Sequence, residues 1–130
     1  MKTNIFVSAP AAADAETFTM LLEQQDVKIE RIVSTGQRTP DGQWLQQETA
    51  EWVVLLSGSA RLLFEGELRP RELVPGDYLY IPALARHRVE WTAPDQQSVW
   101  LAVHLRVSGR VSGVSAGPDA NRIQTVKVVR

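Results

Sequence analysis

From Val27 to about residue 107, apolar and polar positions recur in short runs with a period near two, the period of a strand whose side chains alternate between faces. In the first run Val27, Ile29 and Arg31 alternate with Lys28, Glu30 and Ile32. Further runs lie at 43–47, 50–57, 60–65, 70–73, 78–82, 87–92 and 98–107. Gly58, Gly66, Pro75-Gly76 and Pro94-Asp95 separate several of them. Thr39-Pro40-Asp41-Gly42 is a turn, because proline fixes φ and glycine accepts a positive φ. Many short strands at this spacing predict an all-β sandwich or barrel.

The ends of the chain read differently. Ile5 to Val7 reads as a short strand. Across Asp14 to Gln24, Phe18, Leu21 and Leu22 recur at i, i+3 and i+4, which predicts a short N-terminal helix with Asp14 as its N-cap. The expected organisation is therefore an N-terminal segment, 1–26, packing on a barrel of 27–107, with a tail of 108–130. The tail is rich in Gly, Ser and Ala up to residue 121. It then alternates from Ile123 to Val129 without a clean apolar face, as an edge strand or an unstructured end would. One strand is apolar on both sides: Glu51, Val53 and Leu55 share one face, Trp52, Val54 and Leu56 the other. Its second face needs a cover, from the N-terminal segment, the second sheet or another subunit, and a homodimer is the expectation.

At 130 residues the chain suits one domain with a sizeable core. Its 14 basic and 15 acidic side chains give a net charge of -1, with no electrostatic footprint for nucleic acid or an anionic membrane. There is no cysteine, which excludes disulfides and thiolate chemistry. No apolar run is long enough for a spanning helix. The N-terminus lacks the apolar core of a signal peptide, and Asp14 and Glu16 interrupt its small-residue stretch. The expected location is the cytoplasm.

Chemistry concentrates between Glu51 and Trp91. Glu51 is followed by six residues and Gly58; Gly76 is followed by five residues and Pro82, with His87 five further on. This stretch resembles the two motifs of the cupin superfamily, G-x5-H-x-H-x3,4-E-x6-G and G-x5-P-x-G-x2-H-x3-N. The match is incomplete. The two histidine positions of the first motif fall on Trp44 and Gln46, or on Leu45 and Gln47. In the second, Leu84 replaces the glycine and Trp91 the asparagine. A group of small single-domain cupins is similar at Trp44-Leu45-Gln46-Gln47, Glu51-Trp52, His87-Arg88-Val89-Glu90-Trp91 and Trp100-Leu101-Ala102-Val103-His104. That group carries aspartate where this chain has Gln46.

The resemblance implies a cupin jelly-roll β-barrel that takes a small-molecule ligand. It also implies a candidate metal set of Gln46, Glu51, His87 and His104, suited to a divalent ion such as Zn, Fe, Mn or Ni. Glutamine in place of aspartate removes a charge and weakens such a site, with Glu48 a candidate substitute. Strand parity puts Trp91 with His87 and Val89 facing the interior, and Val53 with Glu51; Arg86 and Arg88 have the opposite parity and are expected to face out. Two other readings stand beside the metalloenzyme: a metal-free pocket with Glu51, His87 and His104 as a polar network, and a structural or regulatory dimer.

Overall fold

The computed structural model describes residues 3–7 and 14–106. Eight strands form: β1 (Thr17–Gln24), β2 (Val27–Ser34), β3 (Ala50–Ser57), β4 (Ala60–Phe64), β5 (Arg71–Leu73), β6 (Tyr78–Ile81), β7 (His87–Thr92) and β8 (Ser98–Leu105). They make a five-stranded sheet in the order β1-β2-β8-β3-β6 and a three-stranded sheet in the order β5-β4-β7. Every pairing is antiparallel. The core between the sheets joins Ile32, Val53, Leu55 and Trp100 from the larger sheet to Leu62, Phe64 and Val89 from the smaller. Burying such side chains stabilises by about 1.5–3 kcal/mol each, enough to hold two half-apolar sheets together. The Trp100 indole N–H, enclosed in this core, donates to Ser34 Oγ at 3.1 Å.

The N-terminal helix is not formed. Residues 17–24 are strand β1, paired with β2 from Thr17↔Val33 to Gln24↔Val27. The pairing slips between Met20 and Leu22, a bulge that inserts one residue. A bulge breaks the two-residue alternation, and the apolar spacing Phe18, Leu21, Leu22 then imitates a helical period. Ile5 to Val7 is a turn rather than a strand: Val7 N donates to Asn4 O and Phe6 N to Asn4 Oδ1. Residues 43–47 contribute only one bridge, Leu45 to His87, closed by Leu45 N–H to His87 O at 2.7 Å and His87 N–H to Leu45 O at 3.1 Å. The tail expectations, 108–130, fall outside the described residues. Among the described residues no helix is long and apolar enough to cross a membrane.

One side chain is covered on its expected outer face, and another sits on the opposite face from the one expected. Arg88 is 7% exposed, because the 39–43 loop folds over the outer surface of β7. Its guanidinium donates to the carbonyls of Thr39, Pro40 and Gln43 and to Glu90 Oε2. It therefore holds the 39–43 loop against the outer side of β7. Trp91 pairs with Arg61 across a slip in the β4–β7 register, where Leu62 pairs with Val89. The extra residue, Glu90, turns Trp91 away from the interior, and the Arg61 guanidinium lies 4.8 Å from its ring centroid.

Leu84 occupies the glycine position of the second motif and keeps the backbone that glycine would favour, with φ 68°. Its N–H donates to Gln47 O at 2.7 Å and its carbonyl accepts from Gln46 Nε2 at 2.9 Å. The left-handed conformation costs a leucine about 1–2 kcal/mol, and glycine almost nothing. Leu84 is 58% exposed, so its side chain offsets little of that cost. Glycine also loses more backbone entropy on folding. Leu84→Gly is expected to change stability by less than about 1 kcal/mol, whereas Leu84→Val, β-branched at positive φ, is expected to lose about 1–2 kcal/mol. Urea denaturation of the pair checks the ordering; equal losses would mean the turn is not held at positive φ.

Candidate functional site

Glu51 is the second residue of β3 and shares the inward face with Val53 and Leu55; its side chain is 0% exposed. It lies opposite His104 of β8 in register. On the other side of β8, β2 brings Glu30 to the same inward face, since Glu30 shares parity with the core residue Ile32. The three side chains form a line. His104 Nδ1 is 3.2 Å from Glu51 Oε1, and His104 Nε2 is 2.9 Å from Glu30 Oε1. Gln47 completes the group: its Nε2 donates to Glu51 Oε1 at 3.1 Å and lies 3.5 Å from His104 Nδ1.

Hydrogen-bond counting gives this line its chemical character. A neutral imidazole has one N–H and one lone pair, and an ionised carboxylate only accepts. With a carboxylate oxygen at each ring nitrogen, both contacts are satisfied only when the group holds one extra proton, on the ring or on a carboxyl. A carboxylate as enclosed as Glu51 costs several kcal/mol unless it is paired. The imidazole and the Gln47 amide supply that pairing. The result is a carboxylate–imidazole–carboxylate relay from the sheet interior to Glu30.

The relay reaches a cavity of about 280 Å³ at the end of the larger sheet, where the β1–β2 turn meets residues 47–49 and 104–106. Lys28, Glu30, Gln47, Thr49, His104 and Arg106 are among its lining residues. With Asp26, which also lines it, two cations, two carboxylates and an imidazole surround one small space.

His87 is 0% exposed at the start of β7, and its Nδ1 lies 2.8 Å from Ala85 O. A carbonyl only accepts, so Nδ1 donates and the ring is held in one orientation. Gln46 is exposed and spends its amide on Leu84 O. Val53 and Val89 are core residues. Glu48 is exposed. Among the described residues no group of three or more His, Cys, Asp or Glu side chains is arranged to hold a metal ion. Of the four candidate ligands, the contacts above join only Glu51 and His104, and the imidazole between two carboxylates has no nitrogen free for a metal. The donor set does not fit a resident divalent ion.

Glu30 and Gln47 are the members of the site that sequence reading did not select. Glu30 carried one usable signal, its parity with Ile32. Gln47 carried none beyond its place beside Gln46.

The sequence profile of the cupin domain matches residues 32–104, more than half of the chain. No curated protein matches. Among solved structures, a candidate mannose-6-phosphate isomerase from Ralstonia eutropha JMP134 is similar, at 46% identity and a TM-score of 0.79, over 82% of this chain and 99% of that one. A cupin superfamily protein from Desulfitobacterium hafniense DCB-2 aligns at 19% identity and TM-score 0.63, over 75% of this chain and 84% of its own. An RmlC-like cupin from Methanocaldococcus jannaschii, with a double-stranded β-helix fold, aligns at 16% identity and TM-score 0.60, over 75% and 85%. The last two are similar in fold alone.

Proposed function

Because the chain belongs to the cupin family, we propose that it is a cytoplasmic small-molecule-binding protein whose ligand sits in the cavity beside His104 and is held without a metal ion. The observation that carries this reading is the placement of His104 between Glu51 and Glu30 at the wall of a cavity lined also by Lys28 and Arg106. Convergent polar groups in a small concavity are what a ligand site needs. Lys28 and Arg106 offer contacts for an anionic group, with Asp26 and Glu30 beside them to accept from hydroxyls. The likeness to a candidate mannose-6-phosphate isomerase supports a phosphorylated sugar as the first ligand class to try. The alternative of a metalloenzyme built on Gln46, Glu51, His87 and His104 has less support, since the Gln46 amide is bonded to Leu84 O and each ring nitrogen of His104 faces a carboxylate.

A homodimer belongs to the same proposal. Trp52 and Val54 of β3, and Leu101 and Val103 of β8, lie half-buried on the outer face of the larger sheet. A second copy would cover them.

Thermal denaturation with mannose 6-phosphate, in the presence of EDTA, tests the binding site. At about 100 times Kd the ligand is expected to raise stability by roughly 2.7 kcal/mol. His104→Ala is expected to abolish the rise while the protein stays folded. A rise that EDTA removes, or that His104→Ala leaves intact, would sink this reading.

A further inference from the structure

We infer that the free edge of β1 is a docking surface for residues 123–129 of the same chain, which add a strand there and extend the larger sheet in its own plane, whatever ligand the protein holds.

β1 is a poorly protected edge. It ends the larger sheet and, among the described residues, pairs with β2 alone. It is eight residues long, and its Phe18, Met20, Leu21 and Leu22 are each between 40% and 46% exposed. An outer row of backbone N–H and C=O groups is a template for another strand, and proteins blunt it with lysine, proline, bulges or shortness. β1 contains neither lysine nor proline, and the bulge between Met20 and Leu22 is its one such device. The other sheet ends are shorter or already met. β5 has three residues, and β6 has four and is followed by Pro82. At β7, His87 exchanges both backbone bonds with Leu45.

Pattern, charge and reach select the occupant. Ile123, Thr125, Lys127 and Val129 alternate with Gln124, Val126 and Val128, and most of these side chains are β-branched, the type that strands favour. Residues 8–13, also outside the described residues, are Ser-Ala-Pro-Ala-Ala-Ala and have no such alternation. Around β1, residues 14–26 carry Asp14, Glu16, Glu23 and Asp26 and no lysine or arginine. Residues 107–130 carry Arg110, Arg122, Lys127 and Arg130 against one acid, Asp119. The β1 of a second copy would bring acid to acid at this edge, whereas the tail brings base to acid. Run antiparallel to β1, it takes Arg122 to the end with Glu23 and Asp26, and Arg130 to the end with Asp14 and Glu16.

The described chain stops where such a strand needs to begin. The Arg106 N–H donates to Asp26 O at 3.0 Å, which puts Arg106 at the β1–β2 turn. From β8 the far side of β1 is three strand spacings away, about 15 Å. Residues 107–122 extend to about 55 Å, so they cross that gap without strain. The added strand gives the outer backbone groups of β1 partners and covers part of its apolar side chains. Because the sheet grows in its plane, the outer face with Trp52 and Leu101 stays open to a second copy.

The test is amide hydrogen exchange of the full chain, read residue by residue by NMR. The amides of 123–129 and the edge-facing amides of β1 are expected to exchange at least about tenfold more slowly than in an unstructured peptide. Val126→Pro breaks the added ladder and is expected to release both sets together, while β8 keeps its protection and reports a folded barrel. If the proline variant loses the β8 protection, Arg122→Glu combined with Arg130→Glu takes its place. That pair is expected to speed both sets several-fold, and no change in either overturns the inference. Free exchange throughout 123–129 overturns it, as does release of 123–129 by Val126→Pro with β1 unaffected. Carbon-13-labelled protein diluted into a large excess of unlabelled protein identifies the chain. Nuclear Overhauser effects between the Val126 methyls and those of β1 are expected to persist; their loss on dilution assigns the strand to a second copy and overturns the inference.

Discussion

Gly58→Ala is expected to destabilise the protein by about 3 kcal/mol or more, although it adds a single methyl group. Gly58 follows β3 and has φ 90°, a backbone region that costs any residue with a Cβ about 1–2 kcal/mol. The larger part is steric. A Cβ at this position would lie 2.3 Å from Ser98 Oγ and 2.5 Å from Ser98 Cα. The second contact is with backbone, so no rotamer change relieves it. Ser98 cannot retreat cheaply, because its hydroxyl accepts from Ser59 N–H and donates to Ser59 O, both at 3.2 Å. Those bonds tie the β3–β4 turn to the start of β8, in the middle of the larger sheet. Gly42→Ala is the internal control: φ is 81° there, but nothing lies within 4 Å of the added carbon. It should cost only the conformational part, about 1 kcal/mol. Chemical denaturation of both variants separates the two contributions. Equal losses would mean that the turn can move away from Ser98.

The strands from Val27 onward were legible because each buries one face, and burial writes a period of two into the sequence. The run 50–57 was read at its observed limits, Ala50–Ser57. Where the backbone departs from that period, the reading fails in step. The bulge at Met20–Leu22 turned β1 into an apparent helix, and the slip at Glu90 put Trp91 on the wrong face. Parity also says nothing about what covers an outer surface. Arg88 does point away from the interior, yet the 39–43 loop encloses it. The site was half legible. Glu51 and His104 are opposite one another in register, as a pair of inward residues on neighbouring strands should be. Glu30 was not selected because alternation alone leaves open which set of a strand faces in. Gln46 took the position of a metal ligand by motif counting, and its amide is used by the backbone of a turn that Leu84 holds at positive φ.

Replacing Glu51 by leucine is expected to cost about 3 kcal/mol and to abolish ligand binding, even though leucine suits an inward position between Ala50 and Val53. A leucine at a site of 0% exposure satisfies packing. What it removes is the carboxylate that accepts from Gln47 Nε2 and faces His104 Nδ1 at 3.2 Å. Each is left part-buried without that acceptor, and an unsatisfied donor costs about 1–3 kcal/mol. His104, released by Glu51 at Nδ1, keeps its contacts to Glu30 and Gln47 and is held less firmly at the cavity wall. Glu51→Gln distinguishes charge from hydrogen bonding. The amide oxygen still accepts from Gln47 Nε2 and still faces His104 Nδ1, so the loss should be about 1 kcal/mol. Urea denaturation gives the order wild type, Gln, Leu. If Glu51→Leu proves as stable as the wild type, the carboxylate is not what holds His104, and the relay would be a chance alignment of three inward side chains.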